Sequence, residues 1–268
     1  MSEPIPYELY AIRYATAMRK QTDVFIGADL HDAAVPMDYF IWVARNDSHT
    51  VVIDTGFDAL AAERRGRQLL REPGEGLRLL GIDCSQVKQV IITHLHYDHA
   101  GNLQLFPRAR FHLQDREMAF ATGRHMAHPF FARAYELDAV LSMVRLVYGG
   151  QVIFHDGDAE IVPGITVHHV GGHTHGLQVV RVWTRLGWVV VASDAAHYLA
   201  NMASGRPFPI VADVMQMISG WERLQELASR PEYIVPGHDP IVMQLYSEPE
   251  PSLRGVAVRL DAEPRRGA

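Results

Sequence analysis

Apolar residues along this chain fall in short blocks, and most blocks have strand length. Residues 7–15 and 39–44 are rich in β-branched and aromatic side chains. After the turn at Asn46-Asp47-Ser48, Val51-Val52-Ile53 runs straight into Asp54-Thr55-Gly56, a strand ending in a tight loop. Residues 58–71 mix Ala and Leu with Arg and Glu and predict a helix that stops at Pro73-Gly74. Residues 84–89 form a short connection, and Val90-Ile91-Ile92 is a buried strand. Residues 115–121 are helical. Residues 152–154, 160–162 and 166–170 are short strands between Asp-Gly and Pro-Gly turns. Residues 177–183 and 188–192 pair across Arg185-Leu186-Gly187 as a hairpin. Residues 212–228 are a helix, and Tyr233-Ile234-Val235 is a last strand before Pro236-Gly237-His238.

Two stretches fit this alternation less well. Residues 122–148 carry His125, Met126, His128, Phe130, Phe131, Tyr135 and Met143, the second half at helical spacing. They predict a helical insertion with an apolar face lying against the site; an ordinary core-facing helix pair is the competing reading. From about residue 247 the chain is rich in Pro and Arg and is expected to be loosely ordered. No repeat or linker divides the rest. One domain over 1–268 follows, with sheet packed on sheet and helices outside.

At 268 residues the chain can bury a sizeable core unaided. Its single cysteine, Cys84, excludes an internal disulfide and fits a reducing compartment. A formal charge of −6 argues against a nucleic-acid partner. The opening Met-Ser-Glu-Pro-Ile-Pro has no basic region ahead of an apolar stretch, and no apolar run has spanning length. A cytoplasmic enzyme without membrane contact, monomeric or homodimeric, is the expectation.

The chemistry concentrates after the strand at residues 90–92. His94, His96, Asp98 and His99 lie within six positions, three imidazoles and a carboxylate of the kind zinc and similar ions accept. His173, Asp194 and His238 follow three later strands. Loops at strand ends hold side chains on a rigid scaffold. Seven ligands exceed the four of one tetrahedral zinc and suit two ions sharing a carboxylate. Asp54 has no ion to hold and is expected to orient a ligand histidine.

In order, Asp54-Thr55-Gly56, the His94–His99 cluster, Gly172-His173-Thr174, Ser193-Asp194 and Pro236-Gly237-His238 resemble the metallo-β-lactamase superfamily over nearly the whole chain. The resemblance implies an α+β fold, an αββα sandwich of two mixed sheets packed face to face with helices outside. It implies two divalent ions at one edge, zinc by default, with iron, manganese or cobalt also accepted by this ligand set. His94, His96 and His173 would take one, and Asp98, His99 and His238 the other, with Asp194 between. The wording His-Leu-His-Tyr-Asp-His-Ala-Gly, Pro36-Met37-Asp38-Tyr39, the long segment from His99 to His173 and the overall length are most similar to the N-acyl-homoserine-lactone lactonase branch.

That branch implies hydrolytic opening of a lactone ring, with Asp98 as ligand and proton relay. One departure stands out. Lactonases of the branch place a tyrosine three residues after the bridging aspartate; here that residue is His197, and Tyr198 follows. Both are candidate catalytic residues. A different lactone, or another cyclic ester, thioester or amide from a catabolic pathway, is the rival substrate. Thioesterases of the glyoxalase-II kind lean on basic residues, and no basic patch accompanies the motifs. Phe130, Phe131, Met126 and Phe208 are candidates for an apolar pocket, with ordinary core as the alternative. A metal-holding protein without turnover is disfavoured by the complete ligand set.

Overall fold

Among residues 4–265, which the computed structural model describes, thirteen strands form two sheets. The first sheet takes β1 (Glu8–Arg19), β2 (Val35–Arg45), β3 (Thr50–Ile53), β4 (Gln68–Leu69), β5 (Gln89–Ile91), β6 (Arg110–Gln114) and β7 (Val152–His155). The second takes β8 (Ala159–Val162), β9 (Ile165–His169), β10 (Gln178–Thr184), β11 (Gly187–Ser193) and β12 (Ile234–Pro236). The chain then returns to the first sheet with β13 (Ala257–Arg259). Strand order is β13-β1-β2-β3-β5-β6-β7, with β4 also on β1, and β12-β11-β10-β9-β8. β3, β5, β6 and β7 run parallel, as do β11 and β12, and the other pairs are antiparallel, so both sheets are mixed.

The period-two alternation of strands sorts side chains to two faces. In β1, Leu9 and Ala11 join Phe40, Trp42, Val180, Val182 and Val191 in the core between the sheets. Tyr10, Ile12 and Tyr14 turn outward beneath the helices. Those helices are α1 (Ala59–Arg65), α2 (Pro73–Leu79), α3 (Tyr97–Ala100), α4 (Asp115–Ala121), α5 (Pro129–Ala132) and α6 (Leu137–Tyr148). The second sheet is flanked by α7 (Leu199–Ser204) and α8 (Val214–Leu227), and α9 (Val242–Leu245) lies against β13. Asp213 caps α8 by accepting from Gln216 N, and Met217, Trp221 and Leu224 then recur on one face against Val179, Val190 and Ala192. Burying each such side chain contributes roughly 1.5–3 kcal/mol. The architecture is the αββα sandwich expected from the sequence.

Several elements differ from the sequence reading. The helix expected over 58–71 ends at Gly66, which adopts φ 62° as a left-handed cap, and Gln68–Leu69 peels off to pair with β1. Pro73 opens α2 instead of stopping a helix, because its missing N–H costs nothing in a first turn. β6, with α7 and α9, was not anticipated. Residues 247–265 are ordered, the last three residues lying outside the described ones: β13 pairs with β1, and Leu253, Ala257, Val258 and Leu260 are buried. Its apolar residues are few but fall where β1 offers a free edge. No helix among the described residues is long and apolar enough to cross a membrane.

Candidate metal centre

The first sheet supplies one half of the centre. Beyond β5 the chain turns through Thr93 into His94 and His96, and α3 then presents Asp98 and His99 in a single turn. Asp54, at the end of β3, locks this loop. Its Oδ1 accepts from Thr93 N at 2.7 Å, and its Oδ2 accepts from Thr93 Oγ1 at 2.7 Å. The same Oδ2 stands 2.7 Å from His99 Nδ1, so Nδ1–H donates to it and Nε2 is left to face inward. Gly101 packs so tightly that a Cβ there would lie 2.6 Å from Gly56 O, which ties α3 to the β3 loop.

The second sheet supplies the other half. His173 follows Gly171 and Gly172, with φ of 64° and 84°. A Cβ on Gly172 would sit 2.6 Å from the backbone of Met217, so the start of α8 presses the loop inward only because the residue is glycine. Asp194 follows β11, and Thr93 Oγ1 lies 2.9 Å from Ser193 Oγ, joining the two halves. His238 follows β12. Its Nδ1 donates to Asp38 O at 2.9 Å, and its Nε2 points to the centre.

These side chains converge on Asp194. Its Oδ2 lies 3.1 Å from His173 Nε2 and 3.7 Å from His94 Nε2. Its Oδ1 lies 3.2 Å from His99 Nε2 and 3.1 Å from His238 Nε2. Asp98 stands 3.8 Å from both His99 Nε2 and His238 Nε2, and His96 Nδ1 is 2.9 Å from His173 Nε2. Donors held about 2.0–2.2 Å from a tetrahedral ion stand roughly 3.3 Å apart, so this spacing fits metal. The fit has a second support. His94 Nε2, His99 Nε2, His238 Nε2 and Asp194 Oδ1 are buried with no hydrogen-bond partner among the described residues. Buried polar atoms are seldom left so; four pointing at one space form a cradle for cations.

The histidines divide electrostatically: against burial, Asp194 and the neighbouring carboxylates raise His99 and His238. Burial, reinforced by the neighbouring imidazoles, holds His94 and His96 well below the ordinary histidine range, keeping them neutral as ligands must be. Burial works against ionisation of Asp194 too, but His197, His99, His238 and His173 outweigh it and hold the carboxyl well below its usual range.

The two catalytic candidates part company. His197 comes to the centre: its Nε2 is 3.0 Å from Asp194 Oδ2, and its ring stacks on Phe208 at 3.6 Å. Tyr198 turns away, its hydroxyl donating to Pro36 O at 2.9 Å, because consecutive residues before α7 point to opposite sides. It does not line the cavity over the centre, and the catalytic reading of Tyr198 is corrected accordingly. That cavity has a volume of about 450 Å³. Phe208 is the one member of the proposed apolar set that lines it; Met126 and Phe131 pack against the core and Phe130 is exposed. Residues 122–148 take both roles offered for them. Ala139, Val140 and Met143 of α6 are core, while Arg133 and Ala134 reach the cavity wall.

Two features escaped the sequence reading. Glu117 on α4 is fully buried and accepts from Leu95 N, Tyr135 Oη, Thr174 Oγ1 and Gly176 N, so one carboxyl holds both histidine loops and the insertion. In sequence it reads like the neighbouring charges of a solvated first turn. The other feature is basic: Arg19, Arg65, Arg67 and Arg133 all line the cavity, although none neighbours a motif along the chain.

Asparagine at position 54 isolates the role of its charge. Asp54 has φ 61°, a conformation asparagine tolerates better than most residues. Asp54→Asn is therefore expected to keep the backbone but loosen His99, lowering metal affinity or turnover about 10–100-fold. Metal titration with a competing chelator reads this, and unchanged affinity and turnover would count against the assigned role.

The comparisons with known proteins meet this geometry. The N-acyl homoserine lactonase AiiB of Agrobacterium fabrum is 30% identical over 179 residues, covering 62% of this chain and 61% of that protein. The N-acyl homoserine lactonase AttM of Azorhizobium caulinodans is 28% identical over 232 residues, covering 78% and 84%. A solved quorum-quenching N-acyl homoserine lactone lactonase superposes with a TM-score of 0.75 at 22% identity, over 90% of this chain and 95% of that one. A probable metal-dependent hydrolase from Staphylococcus aureus superposes with a TM-score of 0.72 at 16% identity, over 100% and 99%. The sequence model of the metallo-beta-lactamase superfamily matches residues 35–238, a span that runs from β2 to the last of the converging histidines. Family and His/Asp cluster together imply divalent metal ions, and the chain belongs to the metallo-beta-lactamase superfamily.

Proposed function

We propose that this protein is a metal-dependent hydrolase that opens the lactone ring of a small molecule, in the manner its N-acyl homoserine lactonase relatives are named for. The observation that carries the reading is the double-sided environment of Asp194, whose two oxygens face two separate ligand groups. His94, His96 and His173 would hold one ion, and Asp98, His99 and His238 the other. Zinc is the default for such ligands, and iron, manganese or cobalt also suit them. When bound, such ions supply a nucleophilic water at neutral pH and polarise the ester carbonyl.

The chain's own groups do the rest. Asp98, itself one of the proposed ligands, also lines the cavity and receives the proton of the attacking water at a carboxylate oxygen. His197 stands where the lactonase branch places tyrosine, its ring stacked on Phe208; its one N–H, at Nε2, faces Asp194 Oδ2, and would serve the developing oxyanion once that carboxylate is engaged by an ion. Asp54 and Asp38 orient His99 and His238.

Ring opening releases one proton per turnover. Metal-loaded protein given N-hexanoyl homoserine lactone or a simple γ-lactone in weak buffer is expected to acidify the solution, with about two metals per chain by elemental analysis. Absence of turnover on every lactone tried, with good turnover of another ester class, would overturn the lactonase reading and keep the hydrolase.

A further inference from the structure

The cavity over the metal centre is ringed by arginines in a chain whose formal charge is −6. Two of the four are already balanced. Arg65 Nη2 lies 2.7 Å from Glu136 Oε1, and Arg19 Nη2 lies 3.5 Å from Asp23 Oδ2. Arg67 and Arg133 make no ion pair with any carboxylate among the described residues. Arg67 is half-buried and held in place. Its Nε donates to Tyr97 Oη at 3.2 Å, and its Nη1 donates to Arg65 O at 2.8 Å. Arg133 is exposed, rises from the insertion and lies over Phe130 at 4.7 Å. Apart from Asp23, the carboxylates lining the cavity are Asp98 and Asp194; both face imidazoles, and Asp98 also attracts Arg67 without forming an ion pair with it.

A neutral, apolar acyl arm gives two such guanidiniums nothing and must strip water from them. A carboxylate meets their planar, fixed donors in pairs. We propose that the substrate carries a carboxylate on the part remote from the scissile ester, bound between Arg67 and Arg133. The assignment of the scissile bond rests on the lactonase reading; the anion subsite does not.

The test uses the metal-loaded protein and two substrates of matched shape, N-succinyl and N-pentanoyl homoserine lactone. The succinyl compound is expected to have a kcat/KM about tenfold or more higher, with the difference in KM, as a charge-assisted pair implies. Arg133→Ala, at an exposed position, and Arg67→Gln should each bring the ratio towards one, as should high salt. A second arm needs no turnover: calorimetric binding of adipate against hexanoate. Adipate should bind tighter to the parent protein, and that margin should vanish in both variants.

If neither lactone is opened while the adipate margin persists and depends on the arginines, the lactonase reading fails and the subsite stands. If both lactones are opened equally and adipate gains nothing, the subsite is overturned and the lactonase reading stands. An adipate margin unmoved by either substitution also overturns it.

Discussion

Asp194→Ala is expected to remove most of the activity and at least one of the bound metals together. Partners that merely orient ligands are worth about 10–100-fold in affinity or activity, so loss of the shared ligand should cost upwards of about 100-fold in turnover. The reason lies in the distances. Asp194 Oδ1 serves His99 and His238, and Oδ2 serves His94 and His173, so one substitution strips an anionic donor from both groups. It also leaves six buried imidazoles, those of His94, His96, His99, His173, His197 and His238, around a space without its negative charge. The measurement is metal content by elemental analysis beside kcat/KM, taken above pH 7.5 where free imidazoles are neutral. Asp194→Asn keeps the shape while losing the charge and should behave similarly. Full metal content with unimpaired turnover would remove the basis for the proposed centre.

Glu117→Ala is expected to act on stability first. Its two oxygens accept from two backbone N–H groups and two hydroxyls, all buried, at 2.5–3.2 Å. Burial pushes its carboxyl up, and the bonds from Thr174, Leu95 and Tyr135 pull the other way. Alanine cannot accept, and each orphaned buried donor costs about 1–3 kcal/mol, less where a hydroxyl can rotate to a new partner. A net loss of roughly 3–5 kcal/mol follows, a large fraction of the stability of an ordinary domain. Thermal unfolding should shift down by about 10 °C. Gly176 compounds the effect, since a Cβ there would lie 2.0 Å from Glu117 N and the loop has no room to settle differently. A Tm within 2 °C of the parent protein would show that other groups hold these loops. Glu117→Gln, which retains one acceptor oxygen, should fall between the two.

The residues that converge on the candidate metal centre were legible because each sits beside a local signal. His94, His96, Asp98 and His99 are packed into six positions, and His173, Asp194 and His238 each follow an apolar run that reads as a strand. The sandwich was legible for the same reason: strand-length apolar blocks leave few alternatives. What could not be read was convergence without a motif. Arg67 lies beyond a helix cap and Arg133 inside an insertion; their meeting at one opening depends on how α1 and the insertion pack. Glu117 was hidden in a helix whose other charges face solvent. Tyr198 was misassigned because two adjacent residues share a sequence neighbourhood but not a direction. The order of residues 247–265 was underestimated because composition reports polarity, and three residues pairing along β1 outweigh it.

His94, His96, Asp98 and His99 descend from the first sheet, whereas His173, Asp194 and His238 descend from the second. An ion held by both groups would act as a clasp across the seam of the sandwich. Mass action would then make the free concentration of that ion a partner in holding the two layers shut. Starvation for the ion would slacken this rim before any side chain changed, linking nutrient supply to the lifetime of the fold.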